Sequence, residues 1–115
     1  ITFVSNLKHI RLQSNIEIIL YRIICEMINN TIKHSGATEA YIELKLNDTE
    51  LELIYKDNGC GFDVDAVTHN NSGMGLSNII SRVESIKGEV VIESSEARGT
   101  EFLVKIHSVK WNEVQ

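Results

Sequence analysis

The spacing of apolar residues changes along this chain, and the order of the changes restricts the folds that it can adopt. Between Ser14 and about His34 they recur every three or four positions, which predicts a long amphipathic helix with one broad buried face. The members of that face are Ile16, Ile19, Leu20, Ile23, Ile24, Met27, Ile28 and Thr31. Ser14 or Asn15 is predicted as the N-cap, with Glu17 completing a capping box, and Gly36 is predicted to end the helix.

Strict alternation of apolar and polar residues follows this helix and predicts an antiparallel hairpin. The alternating residues are Ile42, Leu44 and Leu46 in the first run and Leu51, Leu53 and Tyr55 in the second. Turn-forming residues 47–49 separate the two runs, and the second strand is expected to stop at Asp57. A short β-prone run from Ile1 to Val4 precedes the helix.

The second half of the chain repeats the change from helical to alternating spacing. Residues 58–73 are rich in Gly, Asn, Asp and Ser, which predicts a long irregular loop, and such loops in small domains are usually functional, for example as lids. Residues 76–86 return to helical spacing and predict a second amphipathic helix closed by Gly88. Two further strands are predicted at 90–92 and 101–106.

These elements together predict an α+β fold. Strands that arrive in adjacent pairs favour a mixed, largely antiparallel sheet with helices packed on one face, which is a two-layer α/β sandwich. The 115 residues are sufficient for one domain, 1–115, in which the part after about residue 107 is expected to be a tail that could be ordered or not. The two cysteines, Cys25 and Cys60, are expected to be free thiols, since no zinc-type spacing is present.

The charge balance excludes some partners. Eleven Lys and Arg against 16 Asp and Glu give a net charge of −5, which makes a nucleic acid an unfavourable partner. No apolar run reaches the roughly 18–20 residues that cross a bilayer, so no direct membrane contact is expected.

Polar residues form a stripe along the predicted first helix. Arg22, Glu26, Asn29, Asn30 and Lys33 fall within an arc of about 100°. Carboxylate and amide oxygens bind hard cations and an ammonium group neutralises phosphate, so the stripe suits a divalent cation with a phosphate. The alternative is a solvated helix face, although two adjacent asparagines are poor helix formers.

Three glycine-containing motifs follow in the order of the chain. Residues 57–61 read D-N-G-C-G directly after a strand, where Asp57 could accept a hydrogen bond from a purine amino group; the alternative is an ordinary turn. Residues 73–76 read G-M-G-L at the start of a helix, which is a natural seat for phosphate. Gly99 and Thr100 precede the last strand. No P-loop sequence is present.

Together, the helix stripe and the three glycine motifs resemble the ATP-binding domain of the GHKL superfamily, and more narrowly the catalytic domain of bacterial sensor histidine kinases. The N box of that family matches residues 26–34, its two glycine boxes match 57–61 and 73–76, and its closing segment matches 88–89 and 99–102. The resemblance covers about residues 1–107 and implies a Bergerat-type sandwich. The short lid and the sequence K-H-S-G-A look most like nitrate-sensor and lipid-fluidity-sensor kinases, which act with LuxR-type response regulators.

On the phosphate side, the resemblance implies binding of ATP with Mg²⁺. Asn30 would coordinate Mg²⁺, and Glu26 would orient a metal-bound water or assist proton transfer. Lys33 and His34 would contact the phosphates.

On the base side, the resemblance implies that Asp57 binds the adenine amino group. Gly59 and Gly61 would shape its pocket, and Thr100 would help to hold the base. The second glycine box would hinge the lid and bring backbone N–H groups to the phosphates; its cofactor-binding residues are Gly73, Gly75 and Leu76.

The resemblance also implies a partner domain. None of the four histidines, His9, His34, His69 and His107, lies in the sequence context of a phosphoacceptor. We therefore expect a two-helix dimerisation domain with the acceptor histidine before Ile1, and the start at Ile1 instead of Met leads us to expect that the chain is a piece of a longer protein. The chain alone would bind ATP as a monomer without autophosphorylation.

The whole protein implied by the resemblance is a homodimeric protein-histidine kinase of two-component signalling. This domain would be cytoplasmic, in a parent that could be anchored in the inner membrane, with a response regulator downstream. Two alternatives stay open: an anti-sigma-factor-like serine kinase of the same superfamily, and a degenerate domain that serves only for interaction.

Overall fold

The structure, a computed structural model, describes residues 1–61, 76–95 and 97–114. Its elements follow the chain as β1 (Thr2–Ser5), β2 (Ile10–Leu12), α1 (Ser14–Asn30), β3 (Ala40–Asn47), β4 (Glu50–Asp57), α2 (Leu76–Ser85), β5 (Glu89–Ser95), β6 (Gly99–Ile106) and β7 (Trp111–Glu113). A π-helical extension, Thr31–Ser35, continues α1. The predicted helices and hairpin are therefore confirmed in position and type.

In the described part of the chain, five strands form one sheet in the order β1-β3-β4-β6-β5. The β3/β4, β4/β6 and β5/β6 pairs are antiparallel, and β1 pairs in parallel with β3. This mixed, largely antiparallel sheet confirms the predicted α+β class.

The core lies between this sheet and the two helices. Alternate strand residues are buried because successive side chains point to opposite faces, and the buried positions of α1 recur at helical spacing. The buried set includes Ile16, Leu20, Ile23 and Met27 of α1, Ile79 and Val83 of α2, and Ile42, Leu51, Leu53, Phe102 and Val104 of the sheet. Lys45, Lys56 and Glu101 are exposed on the other face of the sheet, so the helices occupy one face as predicted.

The start of α1 differs from the predicted capping box. Gln13 precedes the helix, and no side chain among the described residues caps it, so neither Ser14 nor Asn15 acts as the predicted cap. The Glu17 carboxylate instead accepts hydrogen bonds from Arg11 at 2.7 and 2.8 Å and from the Leu12 N–H at 3.1 Å. The hydrogen bond from Arg11 lowers the pKa of Glu17. The charged pair thus attaches β2 to the first turn of α1.

The helices end in two different ways. Gly36 follows the π-helical extension with φ of 62°, as predicted from the sequence. After α2 the residue with positive φ is Lys87, at 58°. Gly88 closes the helix as predicted, since its N–H donates to the Val83 carbonyl at 2.9 Å. It is needed for space, because a Cβ there would lie 2.9 Å from Val83 Cγ1 and 3.0 Å from the Lys105 oxygen.

The segment after β6, expected as a tail, is ordered. Strand β7 pairs antiparallel with β2 in a second, two-stranded sheet. Val109 is buried, and the Trp111 indole N–H donates to the Asp48 carbonyl at 2.8 Å. Neither three-residue strand was predicted, because three residues are too few to show a period.

Two expectations from composition can be compared with the structure. Neither Cys25 nor Cys60 forms a disulfide. In the described ranges, neither helix has the length and apolar character needed to cross a membrane.

Candidate functional site

Asp57 is the last residue of β4, and three protein groups fix its carboxylate. Oδ1 accepts hydrogen bonds from the Gly59 N–H at 2.9 Å and the Thr100 N–H at 3.3 Å. Oδ2 accepts a hydrogen bond from the Tyr55 hydroxyl at 2.5 Å. Thr100 lies opposite Asp57 in β6, so the sheet register itself supplies one of these donors. The half-buried carboxylate is therefore held in one orientation.

Tyr55 connects this carboxylate to the end of α1. Its side chain is 3% exposed, and its ring lies 5.5 Å from the ring of Phe102. Its hydroxyl is hydrogen-bonded to the hydroxyl of Thr31, the first residue of the π-helical extension. Burial and the hydrogen bond with Asp57 raise the pKa of Tyr55, so the phenol keeps its proton at neutral pH. The helix end and the strand end thus meet through two hydroxyl groups.

The polar stripe on α1 divides into two parts. Glu26 and Asn30 are half-buried and one turn apart, whereas Arg22, Asn29 and Lys33 are exposed. Asn30 precedes Thr31 directly and therefore lies at the end of α1 that Tyr55 contacts. His34 has its backbone in the π-helical extension, and its side chain is outside what the structure describes.

The side-chain oxygens at this end of α1 can be compared with the ligands that a metal ion requires. Over the described part of the chain, no group of three His, Cys, Asp or Glu side chains could hold a metal on its own. Glu26 and Asn30 offer a carboxylate and an amide oxygen one turn apart. Mg²⁺ commonly binds one or two protein oxygens and completes its shell with phosphate and water, so these residues fit an ion that arrives with a nucleotide.

Two glycines let other backbone segments approach the site. Gly61 has φ of 66°, and a Cβ there would overlap the Ser95 carbonyl. Gly99 has φ of 79°, and a Cβ there would overlap the Asp57 carbonyl. L-residues with side chains rarely adopt such backbone angles, so both positions favour glycine.

Thr100 and Asn58 complete the surroundings of Asp57. The Thr100 side chain is buried, and its Oγ1 lies 2.8 Å from the Ser94 Oγ. Asn58 Oδ1 accepts hydrogen bonds from the N–H groups of Thr38 and Glu39, each at 3.0 Å. The loop after β4 is thereby attached to the segment before β3. Asp57 and Thr100 border an open cleft of about 590 Å³.

The structure brings most of the predicted base-side residues together. Asp57, Gly59 and Thr100 are joined by hydrogen bonds, and Gly61 packs on Ser95 beside them. Leu76 is buried at the first position of α2. Residues 62–75, which hold the rest of the predicted lid with His69 and the second glycine box with Gly73 and Gly75, lie outside the described residues.

Sequence reasoning missed Tyr55 and Thr31 as site residues. Both were assigned to apolar patterns, Tyr55 to an alternating strand and Thr31 to the buried face of the first helix. One signal was present: residues two apart in a strand share a face, so Tyr55 and Asp57 had to be neighbours on the same side of β4.

Comparison with known families matches residues 15–110 to the family described as histidine kinase-, DNA gyrase B- and HSP90-like ATPase. Among curated proteins, the chain is 41% identical over 87 residues to the sensor histidine kinase ComP of Bacillus subtilis, covering 76% of this chain and 11% of ComP. It is 34% identical over 85 residues to the nitrate/nitrite sensor protein NarX of Escherichia coli, covering 74% of this chain and 14% of NarX.

A third relative is the signal transduction histidine-protein kinase/phosphatase DegS of Bacillus subtilis, 32% identical over 97 residues, covering 84% of this chain and 25% of DegS. The chain thus spans between about a tenth and a quarter of the length of these relatives.

Solved structures share the fold. The ATP-binding domain of PrrB from Mycobacterium tuberculosis superposes with a TM-score of 0.65 at 21% identity, over 79% of this chain and 68% of that domain. The histidine kinase domain of a blue-light-activated kinase from Erythrobacter litoralis gives 0.67 at 14% identity, over 93% of this chain and 51% of that one. The predicted two-layer sandwich is confirmed.

Proposed function

The chain belongs to the histidine kinase-, DNA gyrase B- and HSP90-like ATPase family, and from this premise we propose that it is the ATP-binding domain of a sensor histidine kinase. In this function it binds ATP with Mg²⁺ and supplies the γ-phosphoryl group to a histidine on a dimerisation domain of the same protein. The similarity to ComP, DegS and NarX supports this proposal over an anti-sigma-factor-like serine kinase.

The observation that carries the proposal is the fixed carboxylate of Asp57. An ionised carboxylate accepts hydrogen bonds and donates none, so it favours a ligand with an amino group over one with a carbonyl at the same place. Adenine has such an amino group. The backbone donors Gly59 and Thr100 hold the carboxylate before any ligand binds, which reduces the ordering cost of binding.

The end of α1 supports the phosphate half of the same site. Glu26 and Asn30 would hold Mg²⁺, which when bound neutralises phosphate charge and orients the phosphoryl group. Lys33, exposed in the π-helical extension, can add a positive charge for the phosphates. Phosphoryl transfer depends mainly on positioning and charge neutralisation, and these residues supply both without a strong base.

The remaining partners follow from the same function. The phosphoacceptor histidine would lie on a separate dimerisation domain, and a response regulator would receive the phosphoryl group from it. We expect this domain alone to be monomeric and cytoplasmic, and its parent to be a homodimer that could be membrane-anchored.

Calorimetric titration with a non-hydrolysable ATP analogue, with and without Mg²⁺, tests the proposal. We expect the unaltered chain to bind the analogue more tightly with Mg²⁺ than without it. Asn30→Ala should remove most of this Mg²⁺ dependence, because one of two protein oxygens is lost. Asp57→Asn should weaken binding about tenfold or more and abolish the preference for adenine over hypoxanthine, because an amide can pair with the hypoxanthine carbonyl.

Two matched variants control for general damage. Asn15→Ala is made on the exposed first turn of α1, and Asp48→Asn in the exposed turn between β3 and β4. Both should bind like the unaltered chain. If the unaltered chain does not bind the analogue at millimolar concentration, the proposed function is wrong.

A further inference from the structure

We propose that Tyr55 is a positioning residue that sets the base preference of the nucleotide site, with its hydroxyl held by Thr31 and directed at Oδ2 of Asp57. The proposal rests on the proposed function, because it assumes that Asp57 receives the amino group of the base. It adds two residues, Tyr55 and Thr31. In this proposal neither of them contacts the base or the phosphates, and together they determine which acceptor position of the Asp57 carboxylate is left for the amino group of the base.

Proton counting fixes the direction of the hydrogen bonds. Asp57 as a carboxylate has no proton to give, so Tyr55 must donate across the 2.5 Å contact to Oδ2. The single hydroxyl hydrogen of Tyr55 is then used, and Thr31 must donate to Tyr55. Thr31 Oγ1 also donates to the Met27 carbonyl at 2.9 Å, so its one hydroxyl hydrogen is shared between that carbonyl and the Tyr55 oxygen. The order of donation is therefore Thr31 to Tyr55 to Asp57.

The lone pairs of Asp57 can be counted in the same way. A carboxylate offers about four acceptor positions, two on each oxygen. Oδ1 accepts from the N–H groups of Gly59 and Thr100 and is thus filled, and Oδ2 accepts from Tyr55 alone among the residues that the structure describes. One acceptor position remains, on Oδ2, and the Tyr55 hydroxyl determines where it points.

The packing of Tyr55 makes this arrangement rigid. The ring is buried against Phe102, and its hydroxyl is bonded on both sides, so water cannot easily take its place. Removal of the hydroxyl would leave the Oδ2 side of the carboxylate without its protein donor. The carboxylate could then turn or recruit a water, and a base with a carbonyl at C6 would be rejected less strongly.

The test compares Tyr55→Phe with Tyr41→Phe. Tyr41 is a close match, because its hydroxyl also donates to a carboxylate two residues further on, Glu43 at 2.9 Å, but on the opposite face of the sheet. Calorimetric affinities for ATP and ITP analogues give the base preference of each variant. We expect Tyr55→Phe to lower the ATP-to-ITP affinity ratio about tenfold. Tyr41→Phe should leave it unchanged, and Thr31→Val should lower it by a smaller factor.

A double variant separates positioning from general destabilisation. In an Asp57→Asn background, Tyr55→Phe should change the affinity ratio no further, because its effect acts through the carboxylate. Thermal unfolding of each variant shows whether the fold is kept, and the ratio is compared only among folded variants.

The possible outcomes distinguish this inference from the function on which it rests. If the unaltered chain fails to bind ATP, the proposed function fails. If it binds ATP and Asp57→Asn loses the base preference, while Tyr55→Phe behaves like Tyr41→Phe, the function stands and the role of Tyr55 is refuted. An equal drop for ATP and ITP in Tyr55→Phe would also overturn it, since that is the result of a purely structural role.

Discussion

Gly99 allows the start of β6 to lie close to Asp57 at the end of β4. The β6 backbone begins here with φ of 79°, and a Cβ would overlap the Asp57 carbonyl. Thr100 follows immediately and donates its N–H to the Asp57 carboxylate. A side chain at Gly99 would therefore disturb both the backbone angle and the hydrogen bond that fixes the candidate base-binding group.

Gly36 provides a comparison in which only the backbone angle matters. Its φ is 62°, and a Cβ there would meet no atom of the described residues within 4 Å. We expect Gly36→Ala to lower the free energy of unfolding by about 1 kcal/mol, the cost of a left-handed angle for an L-residue. Gly99→Ala should lower it by about 3 kcal/mol, because steric overlap is added. Urea denaturation measures the free energy of unfolding of both variants. Equal losses would show that β4 and β6 move apart to accommodate the added Cβ at no energetic cost.

The C-terminal end of α2 carries a residue that is poorly suited to its backbone. Lys87 has φ of 58°. The neighbouring position 88 requires glycine for a different reason, because its backbone lies in close contact with Val83 and Lys105. The glycine that closes the helix therefore stands one position after the residue with the left-handed angle.

Replacement of Lys87 should therefore stabilise the protein. Lys87→Gly relieves a left-handed angle that costs about 1–2 kcal/mol, and loses part of the gain to the greater freedom of glycine in the unfolded chain. We expect a net gain of about 0.5–1 kcal/mol in the free energy of unfolding, measured as a higher urea midpoint. Lys8→Gly, in an exposed turn without a positive φ, is the control and should give no gain. A loss at Lys87 would show that its side chain contributes to the fold.

Long periodic elements could be predicted from the sequence, and contacts between them could not. The apolar residues of α1 and the alternating residues of β3 and β4 repeat often enough to reveal which face of each element is buried. The bond between Thr31 and Tyr55 depends on how α1 crosses the sheet, and no local pattern records that crossing. The candidate site was thus predictable where a motif is contiguous, as at Asp57, and not where two distant elements meet.

The two-stranded sheet links the segment before α1 to the segment after β6. Besides the β2–β7 ladder, the Gln13 N–H donates to the Lys110 carbonyl at 3.3 Å, and the Val109 N–H to the Thr49 carbonyl at 2.8 Å. Contacts between residues so far apart in the chain cost loop-closure entropy, which the other contacts of the fold help to offset. We infer that this small sheet belongs to the cooperative unit of the domain.

Trp111 makes that inference measurable, since it is the single tryptophan of the chain. If the small sheet unfolds with the core, the tryptophan fluorescence and the far-UV circular dichroism should change at the same urea concentration. Trp111→Ala should lower the free energy of unfolding by about 2 kcal/mol, through loss of the bond to Asp48 and of its partly buried ring. Val114→Ala, at an exposed position beyond β7, should have little effect. A fluorescence transition well before the dichroism transition would mean that β2 and β7 separate first, and that the domain core is stable without them.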